Sequence, residues 1–86
     1  MGGMKIQVRY FASLREALGT GETVDAPEGS TVAQVRDALI ARGAPHATAL
    51  ARGRAVRTAL DQVLCVETAV LRDGAELAFF PPVTGG

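Results

Sequence analysis

The sequence predicts an α+β domain in which one helix packs across one sheet. Three observations predict it. Met4, Ile6, Val8 and Tyr10 alternate with Lys5, Gln7 and Arg9, the period-two signature of a half-buried strand. Thr31 with Gln34 forms a capping box ahead of an apolar stripe at helical spacing, Val32, Val35, Ala38 and Leu39. Asp73-Gly74 is a turn signal that launches a last strand, Glu76 to Phe80.

The remaining elements follow in chain order. Ser13-Leu14-Arg15-Glu16 fits a second capping box, and Gly19 closes a helix of about two turns. Glu22 to Asp25 reads as a second strand, ended by Pro27 and Gly29. The main helix stops where Gly43 stands at a C′ position with Pro45 beyond it. His46 to Arg52 is expected to add a helical turn. Arg54 to Leu60 and Val63 to Val66 read as strands broken at Asp61-Gln62. In the final strand Leu77 and Phe79 share one face, and Ala78 and Phe80 the other. Pro81-Pro82 then removes two backbone donors and ends the pairing.

With 86 residues the chain is expected to be one domain with a thin core. Apolar residues make up 48% and charged residues 21%, the balance of a globular protein. Nine basic and nine acidic side chains cancel, so no overall field draws the chain to nucleic acid or to a membrane. The single Cys65 excludes an internal disulfide and a zinc cluster built on cysteines. No stretch approaches the roughly 20 apolar residues of a membrane span, and no signal-peptide pattern opens the chain. A cytoplasmic protein is the expectation.

The chain shows no nucleophile–base pair, no metal-ligand spacing and no glycine-rich phosphate loop. Its unusual feature is Gly85-Gly86, since two terminal glycines arise by chance in roughly 0.5% of chains. A carboxylate is a poor electrophile until activated, typically as an acyl-adenylate. A nucleophile must then reach the acyl carbon inside a narrow channel, where glycine has no Cβ to block it. Pro81-Pro82 stiffens the stem, so the end projects from the domain. The competing reading is a frayed terminus or a cloning scar.

The stretch Phe79-Phe80-Pro81-Pro82-Val83-Thr84-Gly85-Gly86 resembles the C-terminal signature of the molybdopterin synthase small subunits. Tyr10-Phe11-Ala12 with Arg15-Glu16, and Asp73-Gly74 with Glu76, are similar to the same family's first strand and acidic turn. The resemblance implies a ubiquitin-like β-grasp domain over residues 4–82, a mixed sheet of four to five strands crossed by one main helix. Residues 83–86 would be a flexible tail. It implies a non-catalytic sulfur-donor subunit. Gly86 would pass from carboxylate to acyl-adenylate to thiocarboxylate, with Pro81, Pro82, Val83, Thr84 and Gly85 threading into a partner. The sulfur would go to cyclic pyranopterin monophosphate in molybdenum-cofactor synthesis. The implied partners are the synthase large subunit, in a heterotetramer of two small and two large chains, an E1-like adenylating enzyme and a sulfur relay enzyme. No cofactor would be held permanently, and ATP would be used by the adenylating partner. Where the family commonly has Asn after the third strand, this chain has Asp61. A carrier for thiamine, cysteine or tRNA sulfur, a ubiquitin-like protein modifier, and a plain interaction module with an inert tail are the alternatives.

A partner surface is read from the alternation alone. If Ile6, Val8, Tyr10, Leu77 and Phe79 face the core, Phe11 and Phe80 belong to the opposite face. Leu64 joins them if Val63 and Cys65 point inward. Phe11, Leu64 and Phe80 are therefore the candidate docking patch. Cys65 reads as a small core residue rather than a redox site. Arg52, Arg54 and Arg57 read as a solvated face, and His46 as an exposed loop residue.

Overall fold

The computed structural model describes residues 3–82. In chain order the elements are β1 (Gly3–Tyr10), α1 (Ala12–Leu18), β2 (Gly21–Pro27), α2 (Val32–Ile40), α3 (His46–Ala49), β3 (Arg57–Leu60), β4 (Val63–Cys65) and β5 (Glu76–Phe80). The strands form one sheet in the order β2-β1-β5-β3-β4. β1 pairs parallel to β5, and the other neighbours are antiparallel, so the sheet is mixed as expected.

β1 alternates without exception between exposed odd positions and buried Met4, Ile6, Val8 and Tyr10. α2 closes that face: Val32, Val35 and Leu39 join Ile6, Val8, Leu77 and Phe79 in one core cluster. Thr31 Oγ1 accepts from the Gln34 N–H, and the Gln34 side chain accepts from the Thr31 N–H, so the predicted capping box forms in full. The next two helical N–H groups donate to Ala69 and Glu67 carbonyls, which docks the 66–71 segment on the helix start.

Two turns fix the strand registers. Gly74 has φ 82, a left-handed conformation that glycine adopts without a Cβ clash. Its N–H donates to the Lys5 carbonyl, and Asp73 Oδ1 accepts from the Lys5 N–H at 2.8 Å. That clasp sets the parallel pairing of Gln7 with Glu76. Asp61 and Gln62 both have positive φ, 48 and 71, as a two-residue hairpin of the I′ type requires. The Asp61 carboxylate also accepts from the Glu76 N–H at 3.0 Å, so the substitution for Asn keeps a side-chain oxygen where β5 starts.

Several expectations are corrected. α1 begins at Ala12 with Phe11 in the N-cap position and no side-chain cap, so Ser13 lies inside the helix and forms no capping box. The reason is tertiary: the Phe11 N–H still donates to Phe79, which carries strand pairing up to the helix start. Ala38 is exposed although it continues the apolar stripe, because it faces a groove beside β2 rather than the core. β3 starts at Arg57 rather than Arg54. Residues 50–54 are held in a loop instead, their carbonyls taken by the Arg36 guanidinium. Val63 is 67% exposed rather than inward, since it opens the three-residue edge strand β4 at the hairpin end, and of that strand only Cys65 packs against the core. β4 also ends at Cys65, one residue short of Val66.

Candidate functional site

β5 carries the chain toward its end. Leu77 and Phe79 are fully buried on the helix side, and Tyr10 stacks on Phe79 with ring centroids 6.2 Å apart. Phe80, on the other face, is half-buried, as are Pro81 and Pro82 of the stem. Val83, Thr84, Gly85 and Gly86, the expected tail and covalent site, lie outside the described residues.

Beside the stem is a groove of about 400 Å³ on the sheet face opposite α2. Phe11, Leu64 and Phe80 all line it, three apolar side chains brought together from the end of β1, from β4 and from β5. Its floor is Ala59 and Ala78, both buried beneath the larger side chains. Small residues in the middle of a strand face leave room between the aromatic walls for an inserted side chain. Gln62 and Glu76 supply the polar edge. Arg9 lies over the Phe11 ring at 5.8 Å, which orients that ring and puts a cation on the rim. Ala59 and Ala78 were missed from the sequence. The available signal was that Ala78 shares the Phe80 face of β5.

The Arg cluster does not form one surface. Arg52 binds Asp37 at 2.7 Å, pairs with Glu67 and donates to the Ala33 carbonyl. Arg54 turns toward the Thr48 carbonyl, and Arg57 is exposed on β3. Cys65 is half-buried against the core, with its Sγ 3.5 Å from Thr58 Oγ1. His46 is not an exposed loop residue. It opens α3, its side chain is 13% exposed, and its ring meets Tyr10 edge-on. Its Nε2 is 2.9 Å from Glu22 Oε2, an oxygen that also accepts from the Tyr10 hydroxyl at 2.8 Å. Arg42 binds the other Glu22 oxygen at 2.6 Å. Partial burial works against the Glu22 charge, but bonds from Arg42, Tyr10 and His46 outweigh it and hold the carboxyl at about 2. Burial first, then the bond to Glu22, pushes the Tyr10 hydroxyl well above its ordinary value. This cluster braces the strand partner of β5 at the end from which the stem departs.

Among the described residues, no three His, Cys, Asp or Glu side chains are grouped to hold a metal, and no helix is long and apolar enough to cross a membrane.

The sequence profile of the ThiS family matches residues 8–86. The chain belongs to the ThiS family. Two relatives bear the name molybdopterin synthase sulfur carrier subunit, in agreement with the resemblance read from the tail. The Escherichia coli protein is 42% identical over 81 residues, spanning 94% of this chain and 99% of the relative. The Haemophilus influenzae protein is 36% identical with the same coverage. This ThiS-family chain also superposes on the solution structure of the Haloferax volcanii HVO 2177 protein with a TM-score of 0.80 and 26% identity, covering 99% of this chain and 89% of that one. Caldiarchaeum subterraneum ubiquitin matches with a TM-score of 0.61 and 20% identity, covering 99% and 100%, so the fold is the ubiquitin-like β-grasp.

Proposed function

We propose that this chain is the sulfur carrier subunit of a molybdopterin synthase and that Gly86 carries the sulfur as a thiocarboxylate. The observation that carries the reading is the name shared by relatives of 42% and 36% identity whose whole length the chain spans. The residues suit the chemistry. Gly85-Gly86 offers an acyl carbon without side-chain obstruction, on a stem stiffened by Pro81-Pro82.

In this reading an E1-like enzyme uses ATP to convert the Gly86 carboxylate to an acyl-adenylate, releasing pyrophosphate. Sulfide delivered by a relay enzyme attacks the acyl carbon, its C–S bond replacing the C–O bond to AMP, and leaves the thiocarboxylate. In the cytoplasm the synthase large subunit, two copies with two of this chain, takes up Val83, Thr84, Gly85 and Gly86 behind Pro81-Pro82. There the sulfur passes to cyclic pyranopterin monophosphate, and hydrolysis regenerates the Gly86 carboxylate. The chain holds no cofactor and supplies no catalytic side chain. The groove of Phe11, Leu64 and Phe80 is where the partner docks. An apolar cleft beside the stem anchors the domain while the tail threads.

The test is to incubate the chain with the adenylating enzyme, ATP and a sulfur source and then weigh the intact protein. One oxygen-to-sulfur exchange is expected in the parent and in Cys65→Ser. Deleting Gly86 moves the carboxylate by about 3.3–3.6 Å. Since displacement by about 1 Å can cost on the order of 10²-fold in rate, transfer should nearly vanish. Exchange that survived the deletion, or disappeared with Cys65, would overturn the assignment.

A further inference from the structure

β2 is an edge strand seven residues long, with no strand beyond it among the described residues. The opposite edge, β4, is three residues and is blunted by its shortness. The direction of the free β2 groups follows from β1. The Gln7 and Lys5 main chains bond toward β5 and its turn, while the Tyr10 N–H bonds toward Thr20. Even-numbered residues of β1 therefore face β2, and their partners Glu22, Val24 and Ala26 face back. That leaves the N–H and C=O groups of Thr23 and Asp25 pointing out of the sheet.

The usual guards of such an edge are weak here. The one proline, Pro27, is the final residue of β2. Glu22 turns inward to Tyr10, His46 and Arg42, and Asp25 is bound by Lys5 at 2.6 Å. Alongside the edge runs a second groove, of about 470 Å³, between β2 and α2, with Val24, Val35, Ala38 and Leu39 among its walls. Ala38 is the one member of the helix's apolar stripe that the fold leaves uncovered.

We infer that this edge pairs with the same edge of a second copy, antiparallel about a two-fold axis through Val24. In that register Thr23 lies opposite Asp25 of the other copy, and the outward N–H and C=O groups of each pair bond reciprocally. Pro27 falls opposite Gly21 at the end of the ladder, where it accepts from the Gly21 N–H, lacks an N–H to return and leaves the Gly21 carbonyl to water. On the open face Thr23 meets Asp25, a hydroxyl against a carboxylate. The two Asp25 side chains are diagonal neighbours, each already neutralised by its own Lys5. On the helix side Val24 meets Val24, and Glu22 meets Ala26, so no like charges stand directly opposite. The second Val24 enters the groove against Val35, Ala38 and Leu39. The edge lies at the far end of the sheet from β4, so pairing leaves the Phe11, Leu64 and Phe80 groove open. The inference stands independently of the sulfur chemistry.

Sedimentation of the full chain from about 1 µM to about 1 mM reads the association directly. The mass should rise to that of a dimer within this range. Amide exchange measured at both ends of the range should show Thr23 and Asp25 slowing about tenfold or more on dimerisation. The Val24 amide, bonded to β1, should be protected at both. Thr23→Pro removes an outward donor that the monomer does not use and should abolish the dimer, whereas Thr23→Val should retain it. A monomer at every concentration would overturn the inference and leave the edge to a strand of another protein. A dimer that survives Thr23→Pro would also overturn it. If that variant fails to fold, the parent's exchange pattern decides: concentration-dependent protection on β4, with Thr23 and Asp25 unchanged, refutes the β2 pairing.

Discussion

The Tyr10 hydroxyl donates to Glu22 Oε2 at 2.8 Å, tying the end of β1 to the start of β2. Through the same carboxylate the tie reaches Arg42, just beyond α2, and His46 on α3. One acidic side chain thus gathers four segments around the end of the sheet that leads to the stem.

Stability should therefore fall at acid pH in a specific window. The Glu22 carboxyl is held at about 2 in the fold, below its ordinary 4.5. A depressed folded value stabilises the protein above the unfolded value, and that contribution is lost as pH falls from about 4.5 toward 2. The side chain is a quarter exposed, so solvent screening reduces the effect to about 1–2 kcal/mol. Urea unfolding of the parent and of Glu22→Gln between those pH values should show the difference between them shrinking as pH falls. A constant difference would refute the role of the charge.

Arg36 should matter more than any exposed arginine. Its side chain is 4% exposed and donates to the Leu50 and Ala51 carbonyls and to Glu67 at 2.6 Å. Arg36→Ala leaves these acceptors without their donor and should cost about 3–5 kcal/mol. Arg36→Lys keeps the charge but not the planar fork and should recover less than half of that loss. Denaturant midpoints measure both, and full recovery in Arg36→Lys would show that charge alone suffices.

Phe80→Ala should separate docking from folding. Phe80 is half-buried and walls the groove beside the stem. Truncation should weaken binding to the synthase large subunit by about 1 kcal/mol or more. Calorimetric titration reads the affinity, and a thermal melt of the free chain should shift little. Unchanged affinity would remove the groove from the interface.

Local chemistry made much of the fold legible. The alternation of Met4 to Tyr10, the Thr31–Gln34 capping box, Gly74 in its left-handed turn and the bounds of β5 are all set by residues close in sequence. Alternation also assigns Phe80 to the face opposite the core, whereas it places Leu64 beside it on the condition that Val63 and Cys65 point inward, and only Cys65 packs against the core. The tail motif, too, belongs to the sequence itself. Tertiary structure decided what depends on distant partners. α1 starts at Ala12 because Phe11 is still bonded to Phe79, and that bond outranks the local signal at Ser13. His46 is drawn inward by Glu22, 24 residues away, and Arg36 reaches loop carbonyls 14 and 15 residues on. Val63 and Ala38 are apolar in pattern but exposed, because a periodicity gives the direction of a side chain and not what covers it. Covering requires a neighbour across the sheet, and among the described residues this sheet runs out of neighbours at both of its edges.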